Sequence, residues 1–159
     1  MRREILILFC AIVCAGCNRP SKVEQYRSEK HVRDSVSLVN QQRTLAYYQT
    51  VLDSLLPVSD SLLQYFRYER DERYQDHGYY VVKEGRMKMP GRRILVRDDG
   101  KEVLCYREGK RIEDEKEKRK DEGAYALAEH LQIVIRDIKE LEKRITRTSL
   151  EVQKYQKRL

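Results

Sequence analysis

Arg86, Lys88, Arg92 and Arg93 place four cations within eight residues, bracketing Met87, Met89 and the turn pair Pro90-Gly91. Side chains of this kind, presented from a loop, suit phosphate or carboxylate, because each charged N–H donor makes a charge-assisted hydrogen bond to an anionic oxygen. The same cations also serve a plainer end, since Lys and Arg along a strand edge discourage pairing with other chains. A second set, Tyr65, Phe66, Tyr68, Tyr74, Tyr79 and Tyr80, lies just upstream. Tyr joins an apolar ring to a polar tip, which suits a binding surface, with Tyr79 and Tyr80 nearest the basic stretch, or a packed joint between a helix and a β segment.

Groupings that carry out a reaction are not found. His31, His77 and His130 are too far apart for the paired-ligand spacing of a helical metal site, and no phosphate loop, dinucleotide fingerprint or Gly-x-Ser-x-Gly occurs. Glu113, Asp114 and Glu115 are adjacent, so on a helix they point around it instead of at a common ligand. The expectation is a non-enzymatic protein that needs no metal and no cofactor.

The amino terminus suggests the compartment. Arg2 and Arg3 precede an apolar run of eleven residues from Ile5 to Ala15, closed by Cys14-Ala15-Gly16-Cys17. A membrane-spanning helix needs about twenty apolar residues, whereas a basic start, a short apolar middle and a small-residue end form a secretory signal. Ala15-Gly16-Cys17 resembles the lipobox of bacterial lipoproteins. That resemblance implies that residues 1–16 are a signal peptide removed on export, that Cys17 becomes the lipidated first residue, and that Ala15 and Gly16 fill the small positions before it. Cys14 departs from the Leu most often found there, and Asn18 is not the Asp that favours retention at the inner membrane. The resemblance therefore implies a lipid anchor in the outer membrane, facing the periplasm; it covers the leader alone.

Loss of Arg2, Arg3 and Glu4 with the leader turns 33 basic and 26 acidic residues into 31 and 25. A basic exported chain meets anionic lipid, lipopolysaccharide and cell-wall polymers, not nucleic acid. Cys105 is then the one thiol left, unable to close a disulfide within the chain. Alternation along its strand puts Leu104 and Tyr106 on the larger apolar face, so the core is expected there and Cys105 on a thinner, partly accessible side.

The elements that position these groups follow from periodicity. Leu127, Leu131, Val134, Ile138, Leu141, Ile145, Thr148, Val152, Tyr155 and Leu159 repeat at alternating steps of four and three, a heptad seam on a charged rod that needs a partner stripe. Val32, Val36 and Val39 give one upstream strip, and Leu45, Tyr48, Leu52, Leu55, Ser59, Leu62 and Phe66 give a second, with Pro57 predicting a kink. Ser21 and Glu24 have the spacing of a capping box. Between the helical stretches, short β-type runs at 79–82, 93–96 and 102–106 are divided by turn residues, with Asp99-Gly100 a hairpin signal and 110–112 a last edge strand. The wholly charged run Glu113–Glu122 reads as a solvated helical face.

The fold expected is α+β and mostly α: a long antiparallel helical hairpin, a coiled-coil stalk kinked near Pro57, with a small antiparallel β-meander head inserted between the helices. The boundaries are 1–16 signal peptide, 17–20 tether, 21–77 first helix, 78–112 meander and 113–159 second helix. Pairing of the second helix with another copy, giving a parallel homodimer, is the other arrangement the seam allows. The function expected is that of an envelope spacer or adaptor presenting its head to a protein partner. The alternative is a lipoprotein binding an anionic envelope component through Arg86, Lys88, Arg92 and Arg93. The carboxyl end resembles small murein-linked lipoproteins in its heptad helix, but Lys157-Arg158-Leu159 lacks their final Lys, so no covalent link to peptidoglycan is expected.

Overall fold

The computed structural model describes residues 21–70 and 77–159. The leader, Cys17, the tether and Tyr74 lie outside the described residues. In chain order the elements are α1 (Lys22–Leu63), β1 (Phe66–Arg70), β2 (Gly78–Val82), β3 (Arg92–Arg97), β4 (Val103–Arg107), β5 (Lys110–Arg111), α2 (Glu115–Lys118) and α3 (Glu122–Gln156). Two long helices thus flank an antiparallel meander whose strands pair in the order β1-β2-β3-β4-β5. The chain divides into two compact units, Arg43–Leu150 and the segments Met1–Gln42 with Glu151–Leu159.

In the smaller unit, α1 begins on the expected capping box. Glu24 Oε2 accepts from the Ser21 amide at 2.7 Å and Ser21 Oγ from the Glu24 amide at 3.2 Å, satisfying donors that a helix start leaves free. These bonds favour the charged carboxylate and hold the Glu24 pKa below its ordinary value. The strip Val32, Val36 and Val39 is exposed, against expectation. The partly covered positions are Asp34, Ser35, Ser37 and Leu38, because Leu38 and Gln41 continue the phase of the longer seam that follows. At the carboxyl end Val152 is buried and Tyr155 half-buried, while Leu159 is exposed.

In the larger unit the α1 seam is the expected one: Leu45, Tyr48, Leu52 and Leu55 are half-buried, and Ser59 and Leu62 buried. Pro57 lies inside the helix and has no N–H for the Asp53 carbonyl. The helix stops at Leu63, short of the expected residue 77. Tyr65 N–H closes on the Leu62 carbonyl at 3.0 Å, and Phe66–Arg70 becomes a strand in register with Val82–Gly78. Phe66 fits both the helical seam and an alternating strand; five residues of pairing with β2 decide for the strand. Gly78 opens β2.

The core lies between one sheet face and α3. Phe66, Val82, Ile94, Val96 and Cys105 alternate inward and meet Leu62, Ile112, Ala124, Tyr125, Ala128, Leu131, Val134 and Ile135. Small Ala124 and Ala128 let the helix lie close to the sheet, and burial of each larger side chain contributes about 1.5–3 kcal/mol. Cys105 is 2% exposed and opposite Ile94, so the expectation of a partly accessible thiol is corrected. Register decided its face. Leu104 and Tyr106, expected inward, share the other side with Val81 and Leu95.

The β3–β4 hairpin carries the expected Asp99-Gly100 turn. Gly100 has φ +69°, and a Cβ there would lie 2.7 Å from the Arg136 amide of α3. Only glycine combines that backbone with that approach. The glycine therefore seats the hairpin tip on the helix.

Candidate functional site

The residues singled out in the sequence do not form one surface. Arg86 stacks its guanidinium 4.2 Å from the centre of the Tyr65 ring, and Arg93 pairs with Glu69 at 2.5 Å. Lys88 is exposed, but its backbone amide donates to Asp121 Oδ1 at 2.7 Å, and the Met89 amide to Oδ2 at 3.2 Å. Arg92 is buried, its Nη1 3.7 Å from Asp121 Oδ2 and its Nη2 donating to the Glu117 carbonyl. This corrects two expectations. Arg92 is not a surface cation, and the charged run 113–122 is not wholly solvated, because Asp121 is buried where it fastens the basic loop to the start of α3. Tyr79 lies on the sheet face away from α3, opposite Arg97, whereas Tyr80 faces inward.

Tyr80 leads to a cleft that the sequence did not reveal. Tyr68, His77, Tyr80, Asp98, Asp99, Lys101, Lys139 and Lys143 line a cavity of about 660 Å³. Tyr68 and Tyr80 are cross-strand partners with ring centres 5.2 Å apart and planes tilted by 57°. Gly78 makes room for them, since a Cβ there would overlap the Tyr68 hydroxyl. Asp98 Oδ2 accepts from the Gly78 amide at 2.8 Å and the Tyr68 hydroxyl at 3.2 Å, and His77 Nδ1 lies 3.9 Å from Oδ1. Lys139 and Lys143, one helical turn apart on α3, reach the cleft because Gly100 seats the hairpin beside them.

Charge in the cleft is divided unevenly. Asp99 is held by both nitrogens of the Arg97 fork at 2.7 Å and by the Lys101 amide at 3.0 Å, and these bonds push its pKa well below the carboxylate range. Among the described residues Lys139 pairs with Glu142 at 3.9 Å and Lys101 with Asp99 at 3.5 Å. The available charge is therefore positive. Desolvation, followed by the nearby Asp98, raises the pKa of Tyr68; for Tyr80 desolvation again leads, followed by Tyr68 and Asp98. Both hydroxyls stay protonated near neutrality and serve as hydrogen-bonding groups, not as bases. The arrangement holds and orients.

Among the described residues no group of three or more His, Cys, Asp or Glu is placed to hold a metal, and no helix is long and apolar enough to cross a membrane. Compared with known proteins, the chain matches no family model, no curated protein and no solved structure. The signals that point toward the cleft are modest: an acidic pair in a hairpin turn and two lysines four apart on a helix.

Proposed function

We propose that the protein is a non-enzymatic lipoprotein of the outer membrane, anchored through Cys17 in the periplasm, that presents its β head to a protein partner. The observation that carries the reading is the composition of the sheet face turned away from α3. By register Tyr79, Val81, Arg93, Leu95, Leu104 and Tyr106 share that face; Val81 and Leu104 are buried beside Leu95, and Tyr79, Arg93, Leu95 and Tyr106 are the side chains left at least partly exposed. Aromatic and Arg side chains around an aliphatic centre are the types enriched where proteins meet. Binding of an anionic envelope component through the basic loop draws less support, because Arg86, Arg92 and Arg93 already have partners within the fold.

The helices pair in this reading as an antiparallel hairpin within one chain. Support comes from two levels of the larger unit: Tyr48 on α1 lies beside Arg144 on α3, and His130 lines the same hollow as Pro57 and Val58. Earlier in α1 goes with later in α3, as antiparallel packing requires.

The anchor is tested by fractionation. Cys17→Ser should leave the leader uncut or release the protein from the membrane, and mass spectrometry of the natural protein should find acylated Cys17 at its start. Stable anchoring takes two acyl chains where one is marginal. Unacylated protein retaining residues 1–16 in wild-type membranes would overturn the anchor.

A further inference from the structure

We infer that the cleft between the β3–β4 hairpin and α3 binds a small anionic sugar, its phosphate or carboxylate on Lys101, Lys139 and Lys143 and its ring against Tyr68 and Tyr80. This goes beyond the adaptor reading and rests on a different face of the head.

Three features select that class. Asp99 is held mainly by Arg97 and shares Lys101 at 3.5 Å, and Asp98 Oδ2 is engaged by Gly78 and Tyr68, so among the described residues Lys139 and Lys143 offer charge that no acid of the cleft pairs. An anion would complete them with charge-assisted bonds. Tyr68 is 52% exposed, with its ring fixed over Gly78 and its hydroxyl on Asp98, so one apolar face is presented in a set orientation. Among the described residues Asp98 accepts from Gly78 and Tyr68 on Oδ2, and Oδ1, beside His77, is the oxygen that would accept from a ligand hydroxyl. A bare phosphate would leave the tyrosine rings uncovered, and an aromatic acid without hydroxyls would offer Asp98 no donor; a sugar phosphate or sugar acid uses all three. The cavity of about 660 Å³ falls within the roughly 300–1,000 Å³ of small-molecule sites.

The test uses the purified full chain with amide NMR and three probes: glucose 1-phosphate, glucose and inorganic phosphate. Glucose 1-phosphate should shift the amides of Gly78, Tyr80 and Asp98 to Lys101, and should bind about tenfold more tightly than either fragment, a difference of about 1.4 kcal/mol. The double variant Lys139→Ala with Lys143→Ala removes two exposed side chains, so its melting temperature should match the parent while affinity falls about tenfold or more. Equal affinity for inorganic phosphate would overturn the recognition of a sugar ring. Absence of shifts at millimolar probe, or unchanged affinity in the double variant, would overturn the site.

Discussion

Arg92 and Asp121 are buried together, their side chains 2% and 1% exposed, with Nη1 and Oδ2 3.7 Å apart. One is the first residue of β3, and the other ends the turn that leads into α3. Asp121 also accepts the Lys88 and Met89 amides, so one carboxylate fixes the basic loop, the strand and the helix start. Arg92 Nε and Nη1 make no hydrogen bond, so the guanidinium depends on this ion pair, on a second one from Nη2 to Glu117 Oε1 at 3.6 Å and on its Nη2 bond to the Glu117 carbonyl.

Asp121→Ala should therefore destabilise the protein by about 3 kcal/mol, because it leaves a buried cation with Glu117 as its remaining counter-charge and strands two amides. Arg92→Met combined with Asp121→Leu should recover part of the loss, since an apolar pair of similar volume removes the uncompensated charge. Urea denaturation of the three variants measures both effects. A double variant no more stable than Asp121→Ala would show that the bonds to Lys88 and Met89, and not the ion pair, dominate.

Gly100 and Gly109 make a controlled comparison. Both have positive φ, +69° and +78°, but a Cβ at Gly109 meets nothing within 4 Å, while one at Gly100 meets the backbone of Gln132 and Arg136. Gly109→Ala should cost about 1 kcal/mol from backbone strain alone, and Gly100→Ala clearly more. Equal losses in thermal or urea unfolding would mean that the hairpin does not rest on α3.

Cys105 should not react with thiol reagents until the protein unfolds. Burial pushes its pKa up to about 11 from the usual 9, so the folded protein keeps a proton that the unfolded chain releases between those values. Its contribution to stability is full below pH 9 and is lost as pH rises toward 11. Comparing Cys105 with Cys105→Ala across that interval isolates the effect; an identical pH slope for the two proteins would contradict it.

The helix pairing is read by crosslinking. With Cys105→Ser as background, Leu52→Cys together with Leu141→Cys should be joined within one chain by a short bismaleimide. Joining only between chains would favour the parallel homodimer.

Local chemistry explains what was legible in the sequence. Ser21 and Glu24 cap each other across three residues, Asp99-Gly100 turns a hairpin on its own, and the Leu127–Tyr155 seam is one stripe of one helix; each signal is complete within a short window. Phe66–Arg70 escaped because Phe66 keeps the helical phase and the strand exists only through its pairing with β2. Arg92 read as a surface cation because the acid that buries it follows β4 and β5 in the chain. The cleft was least visible of all. Tyr68, Asp98 and Lys139 come from separate elements, and two glycines, Gly78 and Gly100, set their approach.

The central claim is that the outward face of the head meets a protein while the basic loop does not recruit a polyanion. Site-specific photocrosslinking in the native envelope tests it most directly, with the reactive residue placed in turn at Tyr79, Tyr106 and, as an exposed control, Lys116. The account predicts a protein adduct of one size from Tyr79 and Tyr106, none from Lys116, persistence at about 0.5 M salt, where exposed charges are strongly screened, and loss on Leu95→Asp. Adducts of equal yield from all three positions, or an adduct that disappears with salt, would contradict it.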